Sequence, residues 1–480
     1  MTQMLDNVDK NMNGIPEKNV EFVPPAPVPR TTIPSIFEVI KSTLSNPLEV
    51  WGQPSYTLPW IKTKFLNERI LIANDPDLVH YVLVENAKNY RMATVRQLIL
   101  RPILRDGLLT AEGLVWKRSR KSVAPVFAPR HAKGFAKLMH QRAVQYASKY
   151  EPIALENETV DVSQDMTEMT YEILAETLFS NDIVSQTDDL SNDVDRLLHT
   201  MGRVDPLDLI KAPRWVPRFR RMLGIPVMRK FRKIVSDTAD KRRKQMESGN
   251  GDVPEDFLTL LLRQEAPDGL KRSEIEDNII TFIGAGHETT ARALAWALYC
   301  VANSPKHRKL MEEETDKVHE NKVDPVDWLD EMPRTRAVFE ETMRLYPPAP
   351  SINRAPLTDD KWTSASGEVV TIEKDTTVLV MPWTLHRHEK LWDDPRVFRP
   401  ERFLPKNKAK LHRFQYLPFG AGPRVCIGAT FALQEAIIAL GVLLRNYRFD
   451  VTEQTDPWPV QKLTVQPQGG LPMTVSQRDH

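Results

Sequence analysis

The feature that most constrains the fold is a long apolar segment at 274–302, in which apolar residues recur at helical spacing. Ser273, followed by Glu276 three residues later, predicts a capping box at the start of this helix, and Pro305 predicts its end. A helix of this length spans roughly 44 Å, enough to cross a whole domain. Both halves of the segment are apolar around most of their circumference, so we expect burial on several sides.

Most of the remaining chain is also helical by its periodicity, for example at 132–149, 166–180 and 428–446. The predicted strands are short and few. One hairpin is expected at 368–381 around the turn Glu373-Lys374-Asp375, and another near Gly469-Gly470. The sequence therefore predicts a mainly α fold with small β-sheets.

The chain shows no internal repeat and no long Gly/Ser linker that would mark a seam between domains. Residues 1–34 are polar and then proline-rich, which predicts a solvated tail with extended backbone. Residues 35–480 are predicted to form a single domain. The polar segment 1–21 resembles neither a secretory signal nor a spanning helix, which favours a cytoplasmic protein without a transmembrane anchor.

Charge and cysteine content exclude several functions. Lys plus Arg number 65 and Asp plus Glu number 64, so the net charge of +1 argues against a nucleic-acid binder. This near-neutrality is a cancellation, because 113–150 holds nine cations and no acid, whereas 151–195 holds thirteen acids and no cation. With only Cys300 and Cys426, the chain cannot build a four-thiolate iron–sulfur cluster or a disulfide framework.

The centre of the long helix is unexpectedly polar, reading Gly286-His287-Glu288-Thr289 between apolar halves. Glycine costs a helix interior about 1 kcal/mol, and a buried ionisable group costs more unless it has a partner or a task. One interpretation is a partly exposed polar stretch, and the other is a functional site inside the fold.

A second unusual segment, the cysteine loop at 419–428, places a cysteine just before the start of a helix. It contains Phe419, Gly422, Arg424, Cys426 and Gly428 and precedes the helix predicted from 428. Free backbone N–H groups and the positive end of the helix dipole should stabilise a thiolate there. An inert core cysteine is the usual alternative, but a glycine-rich loop is an unusual place for one.

This loop matches at every defined position the pattern Phe-x-x-Gly-x-Arg-x-Cys-x-Gly of the cytochrome P-450 family, the haem-thiolate monooxygenases, and the chain resembles that family over roughly residues 35–478. Ala285–Thr290 matches the oxygen-activation motif of the family. Glu341 and Arg344 match its Glu-x-x-Arg pair, which Arg402 completes. Trp116 and Arg120 match its Trp-x-x-x-Arg element.

The resemblance implies a single triangular P-450 fold, with the long helix lying over haem b (iron protoporphyrin IX) and dioxygen as co-substrate. Cys426 would be the iron ligand. The residues that would contact the haem are Phe419, Trp116, Arg120, Arg354 and Arg424. Thr289 and Glu288 would deliver protons to bound dioxygen, and Gly286 would leave room for it.

Glu341, Arg344 and Arg402 would form a buried structural triad that holds the cysteine loop. A hydrophobic substrate pocket would be lined from 90–107, 195–225 and 469–472, with Phe282, Ala285, Ile352 and Leu471 as named members. His287 is expected to pack or to face the pocket, His386 and His388 to be solvated, and Cys300 to be a core residue.

The resemblance implies a monooxygenase that hydroxylates or O-dealkylates a small hydrophobic molecule. Since the sequence shows no flavin or iron–sulfur module, we expect electrons from a separate ferredoxin or flavodoxin-type donor. The basic segments 113–150 and 402–434 are its predicted dock, although these cations could instead bind haem propionates or be merely solvated. A haem-thiolate sensor of gas or ligand is the alternative function.

Overall fold

The computed structural model describes residues 21–66, 68–180, 182, 205–209, 212, 215–248 and 253–478. Most of the predicted N-terminal tail, and the 195–204 part of the predicted pocket segment, lie outside these residues. Every structural statement below concerns the described parts of the chain.

The helices, numbered in chain order, are α1 Ile36–Ser45, α2 Pro76–His80, α3 Thr94–Leu104, α4 Gly113–Val123, α5 Pro129–Gly134, α6 Ala136–Ala147, α7 Tyr150–Leu155, α8 Val162–Phe179, α9 Pro206–Leu209, α10 Phe219–Ser248, α11 Phe257–Leu262, α12 Arg272–Ala302, α13 Pro305–Glu320, α14 Trp328–Glu331, α15 Pro333–Leu345, α16 Pro382–Leu385, α17 Pro405–Lys408 and α18 Ala429–Asn446. The strands are β1 Trp60–Phe65, β2 Glu68–Ala73, β3 Tyr90–Met92, β4 Thr159–Asp161, β5 Ile352–Pro356, β6 Asp360–Thr363, β7 Val369–Ile372, β8 Thr377–Val380, β9 Tyr447–Val451, β10 Pro459–Gln461, β11 Val465–Pro467 and β12 Pro472–Gln477. The predicted mainly α fold with small sheets is confirmed.

The long helix α12 runs through the middle of the fold for 31 residues, or about 46 Å. It packs along α8 and also contacts α10, α15 and α18. The predicted capping box at Ser273 is wrong, because the helix begins two residues earlier. The carboxylate of Glu274, rather than that of Glu276, accepts the N–H of Lys271 at 2.9 Å. The end of the helix at Ala302 agrees with the prediction.

The five-stranded sheet has the order β1-β2-β8-β5-β3 and corrects the predicted hairpin at 368–381. Both predicted strands exist, but β7 pairs with β6, whereas β8 lies between β2 and β5. Val378 and Val380 of β8 are completely buried. The other two residues of β8 are half-buried, as suits the centre of the larger sheet, whereas alternate residues of β7 are exposed in a two-stranded sheet.

The second predicted hairpin is also wrong. Gly469 and Gly470 both have positive φ and turn the chain as expected. The strands on either side of them do not pair with each other, since β11 pairs with β10 and β12 pairs with β9 and β4. The turn carries the chain from one small sheet to another.

Residues 21–30 lie against the body of the fold. The Phe22 ring packs edge-on against Tyr299, and the Pro25 carbonyl accepts the hydroxyl of Tyr346 at 2.8 Å. Glu21 forms an ion pair with Arg399 at 2.8 Å. The proline-rich segment thus packs on the domain, and the boundary at residue 34 stays a prediction.

Among the described helices, α18 is long and apolar enough by composition to cross a membrane, and 67% of its residues are buried inside the fold. It packs against α6, α13 and α15. These contacts are those of a core helix.

Candidate active site

An internal cavity of about 320 Å³ lies between the centre of α12 and the cysteine loop. Most of its wall is apolar. The residues that line it include Met92, Leu108, Leu109, Trp116, Arg120, Phe282, Ala285, Thr289, Thr290, Ala349, Ile352, Arg354, Leu417, Phe419, Arg424, Cys426 and Ala432. The two unusual sequence segments, which lie more than a hundred residues apart, therefore face the same cavity.

The cysteine loop is held in a tight conformation by glycine. Gly422 has φ of +74°, and a Cβ at this position would lie 1.8 Å from the carbonyl oxygen of Leu83. The backbone N–H of Cys426 donates to the carbonyl of Phe419 at 2.9 Å, which closes the loop. Cys426 is enclosed by protein yet keeps accessible surface, because its side chain faces the cavity.

The charge state predicted for Cys426 is wrong for the protein alone. Burial raises the pKa of its thiol, and this outweighs the opposing effects of the Gly428 N–H and the Arg120 charge. The helix N-terminus thus favours a thiolate without producing one. A bound metal ion would supply the missing driving force, since coordination deprotonates a thiol.

Three guanidinium groups line the cavity beside the cysteine. Arg120 donates to the Val425 carbonyl at 3.0 Å. Arg424 donates to Glu112 at 2.6 Å, and its guanidinium lies 4.6 Å from the centre of the Trp116 ring. Arg354 donates to the carbonyl of Asn353 at 3.1 Å.

This donor set fits a haem. A thiol faces an apolar cavity, and three guanidinium groups, which bind carboxylates in bidentate geometry, lie on the same wall. A planar apolar group with an iron and two carboxylates matches each of these features.

At the centre of α12, the predicted catalytic pair is separated. The hydroxyl of Thr289 donates to the Ala285 carbonyl at 2.8 Å, and both residues line the cavity. The carboxylate of Glu288 accepts the hydroxyl of Thr464 at 2.7 Å and lies 4.0 Å from Arg292. The described residues that line the cavity do not include Glu288, so its carboxylate reaches the cavity only if the side chain rotates.

Gly286 and His287 serve packing in this structure. A Cβ at Gly286 would lie 2.9 Å from the Leu174 side chain, so glycine here allows α8 to approach, which corrects the expectation that it makes room for dioxygen. The His287 ring is buried, its Nδ1 lies 2.8 Å from the Ile283 carbonyl, and its edge packs against Tyr171.

Glu435 is a candidate that sequence analysis missed. It is buried on α18, and burial raises its pKa to about 8, so the carboxyl holds a proton at neutral pH. Its hydrogen-bond partner is Thr290, which lines the cavity next to Thr289. The available signal was an acid that, with Gln434, interrupts the apolar run 431–444.

Glu341, Arg344 and Arg402 do come together. The Glu341 and Arg344 side chains have no exposed surface and are joined by two hydrogen bonds of 2.7 Å, and Arg402 lies 3.6 Å from the same carboxylate. Arg344 also donates to the backbone carbonyls of His386, Pro395 and Val397. The triad therefore holds the segment 386–402 directly, rather than the cysteine loop itself.

Two other expectations are corrected. His386 and His388 are not solvated, because both are buried, with exposures of 0% and 2%.

Leu471 is absent from the described lining of the cavity. It is buried in the main hydrophobic core, and its N–H donates to Asp161 at 2.8 Å. Phe282, Ala285 and Ile352 line the cavity, and Cys300 is completely buried, where burial raises its pKa.

Comparison with known proteins identifies this arrangement. A sequence profile described as Cytochrome P450 matches residues 27–474, which is nearly the whole chain. The chain belongs to the cytochrome P450 family. It is therefore an enzyme of the haem-thiolate monooxygenase type.

Individual P450 relatives are distant. The chain is 30% identical to cytochrome P450 3A40 of Oryzias latipes over 408 residues, covering 81% of this chain and 78% of that protein. It is 27% identical to the chloroplastic protein LUTEIN DEFICIENT 5 of Arabidopsis thaliana over 431 residues, covering 85% and 70%.

Solved structures confirm the P450 fold. The crystal structure of the cytochrome P450 CYP102L1 matches with a TM-score of 0.78 at 24% identity, covering 95% of this chain and 99% of that chain. The haem domain of cytochrome P450DA matches with a TM-score of 0.74 at 24% identity, covering 88% and 90%.

Proposed function

We propose that this P450 inserts one atom of dioxygen into a small hydrophobic organic molecule, by hydroxylation or O-dealkylation. The observation that carries the proposal is that the Cys426 thiol, the Thr289 hydroxyl and a largely apolar wall share one cavity. An apolar cavity selects an apolar substrate, and a positioned hydroxyl inside it has a use in proton transfer.

Haem b is the proposed cofactor. Cys426 would ligate its iron, and Arg120, Arg354, Arg424 and Trp116 would hold its carboxylates. When bound, the haem supplies the redox chemistry that activates dioxygen, and a thiolate ligand favours O–O cleavage.

Proton supply is the part of the chemistry that this chain's own side chains perform. Thr289 presents its hydroxyl to the cavity, and the carboxyl of Glu435 on α18 is the partner of the adjacent residue Thr290. A carboxyl with a pKa of about 8 holds a proton at neutral pH. Glu288 stays a proposed second proton source, which requires its side chain to leave Thr464.

The cavity also argues against the alternative, a haem-thiolate sensor without turnover. A sensor needs a ligand site but has no use for a hydroxyl and a proton-holding carboxyl next to it. Thr289 and the Thr290–Glu435 pair are both present at this cavity, which favours turnover.

Electrons are proposed to come from a separate acidic ferredoxin or flavodoxin-type protein. Ion pairs within the chain reduce the number of cations available in the predicted basic dock. Lys408 pairs with Glu340 at 2.7 Å and Lys137 with Asp324 at 3.1 Å. Within the described parts of the chain, the exposed cations of the two basic segments that make no ion pair include Lys117, Lys121, Lys406, Lys410 and Arg413. These five form the proposed dock.

We also propose a cytoplasmic location and a single domain from residue 35 onward. The polar segment 1–21 and the burial of the apolar helix α18 support this proposal.

Turnover with isotopically labelled dioxygen tests the proposed reaction. Compounds that change the haem spin state on binding would first be selected. Each would then be incubated with the protein, labelled dioxygen and a ferredoxin-type donor with excess reductant, because inserting one oxygen atom and reducing the other to water takes two electrons and two protons. We expect one labelled oxygen atom in the product, or in the aldehyde released by O-dealkylation. Spin-state changes without any labelled product would support the sensor instead.

A further inference from the structure

We propose that His386 is a positioning residue that connects the buried Glu341–Arg344 pair to the cysteine loop, by fixing the backbone at the point where that loop enters the cavity. The inference rests on the proposed function, because it takes Cys426 as the iron ligand. The hydrogen bonds of the triad reach the segment 386–402 but not the cysteine loop, and His386 would connect the two.

The connection begins at Arg344. One guanidinium nitrogen of Arg344 donates to the backbone carbonyl of His386 at 2.7 Å, inside a region with no exposed surface. Glu341 holds the other side of the guanidinium by two hydrogen bonds. The backbone of His386 is therefore anchored to a buried ion pair that costs several kcal/mol to break.

The connection continues through the ring. Nε2 of His386 accepts the backbone N–H of Leu417 at 2.8 Å, and the ring packs 5.2 Å from that of Tyr416. Leu417 is the residue at which the loop begins to line the cavity, two positions before Phe419. The Leu417 carbonyl accepts the N–H of Gly420 at 3.1 Å, so both backbone groups of this residue are held.

The ring must be neutral, with its proton on Nδ1, for Nε2 to accept this hydrogen bond. Its surroundings keep it neutral: burial lowers the pKa of His386 to about 3, and the charges of Arg344 and Arg387 act in the same direction. The backbone groups of Met343 and Arg344 act on the pKa of the ring in the opposite sense, but burial outweighs them.

The loop transmits this restraint to the cysteine. The Phe419 carbonyl, two residues beyond Leu417, accepts the N–H of Cys426 at 2.9 Å. Hydrogen bonds, together with the backbone from Leu417 to Phe419, thus connect Glu341 through Arg344 and His386 to Cys426. Loss of the His386 acceptor would leave the Leu417 N–H without its partner and free the loop to move its thiol.

The decisive comparison uses two variants of His386 and a matched histidine. His386→Phe removes the acceptor, whereas His386→Gln places an amide oxygen near the former Nε2. His388 is the control, because it is equally buried and its Nε2 lies 3.2 Å from the carbonyl of Leu58, away from the loop. His388→Phe is therefore the matched variant.

The readout is the carbon monoxide spectrum of the reduced haem protein, which distinguishes thiolate from thiol ligation, followed during mild warming. We expect His386→Phe to lose the thiolate-type spectrum about tenfold faster than wild type, the factor that corresponds to about 1.4 kcal/mol for one buried hydrogen bond. His386→Gln and His388→Phe should stay within about twofold of wild type. Equal rates for His386→Phe and His388→Phe would overturn the proposal.

Should His386→Phe fail to bind haem, His386→Gln decides, because fast loss of the thiolate-type spectrum in that variant would show that the acceptor is not what matters.

Hydrogen exchange of the Leu417 amide gives an independent test in the wild-type protein. We expect slow exchange, and exchange as fast as in an exposed loop would contradict the proposal. A wild-type protein without a thiolate-type spectrum would refute the proposed function. The exchange rate of the Leu417 amide would still test its hydrogen bond to His386 in that case.

Discussion

The hydroxyl of Thr289 lies in the cavity and donates to the carbonyl of Ala285, one helical turn earlier. Thr289→Ala removes the hydroxyl and leaves the wall apolar. We expect normal haem content, but a fall in product formed per electron of about tenfold or more, with the electrons appearing as hydrogen peroxide. Parallel assays of product, peroxide and consumed reductant measure this partition.

Thr289→Ser is the matched control, because it keeps the hydroxyl and should keep most of the coupling. Tightly coupled product formation by Thr289→Ala would remove this residue from proton delivery.

Glu435 is expected to determine how product formation depends on pH. Its carboxyl, with a pKa of about 8, is protonated at neutral pH and loses its proton as the pH rises further. Product formation by wild type should therefore decline as the pH rises through about 8. Glu435→Gln resembles the neutral acid in shape, so it should fold normally, turn over about tenfold more slowly at neutral pH and lack this decline.

Glu288→Gln is the comparison for the pH dependence: because the Glu288 carboxylate accepts the hydroxyl of Thr464, this variant should keep the decline near pH 8 even if its overall rate falls. A Glu435→Gln enzyme with both the wild-type rate and the wild-type decline would show that Glu435 supplies no proton.

At this scale, sequence motifs predicted which residues surround the cavity better than which way each side chain points. Phe282, Ala285, Ile352 and Cys426 face it as expected. Glu288 and Leu471 do not, because the direction of a side chain depends on its tertiary surroundings, here Thr464 for Glu288 and the main hydrophobic core for Leu471. Glu435 could not be assigned from its sequence position alone, since only packing places it behind Thr290.

Among the structural elements, the cysteine loop requires glycine at one position, Gly422. Gly422→Ala would place a Cβ 1.8 Å from the Leu83 carbonyl, on a backbone with φ of +74°. We expect loss of most bound haem and a stability loss of at least about 2 kcal/mol, because both the clash and the left-handed backbone oppose the substitution. Haem content per protein and thermal unfolding measure these effects.

Gly428→Ala lies in the same loop and is the control, since the nearest atom to its Cβ would be 3.9 Å away in the Phe127 ring. This variant should bind haem normally. Normal haem content in Gly422→Ala would contradict the described geometry of the loop.

Pairing between elements was harder to predict than the elements themselves. The helices α6, α8, α12 and α18 agree with the periodicity of the sequence to within a few residues. The strands β7 and β8 were found but paired wrongly, because a strand's partner depends on which sheet can bury it. No residue of β8 is exposed, which agrees with its place inside the larger sheet, whereas alternate residues of β7 are exposed.

For the molecule as a whole, segregation of charge predicts where the electron donor binds. Lys406→Glu combined with Lys410→Glu reverses two exposed cations that make no ion pair in the described structure. We expect reduction by an acidic ferredoxin to slow by about tenfold at low ionic strength, with a smaller difference at high salt because the ions screen the attraction. Stopped-flow reduction rates across a salt series test this.

Lys62→Glu combined with Lys64→Glu makes the same charge change on β1 and should leave the rate within about twofold of wild type. Reduction rates that fall equally in both pairs would indicate a general charge effect rather than a dock.

The central claim is that Cys426 is the thiolate ligand of a haem. The carbon monoxide difference spectrum of the reduced protein tests it most directly, with Cys426→His as the matched variant. We expect the thiolate-type spectrum in wild type, and its replacement by a histidine-type spectrum, or loss of haem, in Cys426→His. A histidine-type spectrum in the wild-type protein, or a thiolate-type spectrum that survives Cys426→His, would contradict it.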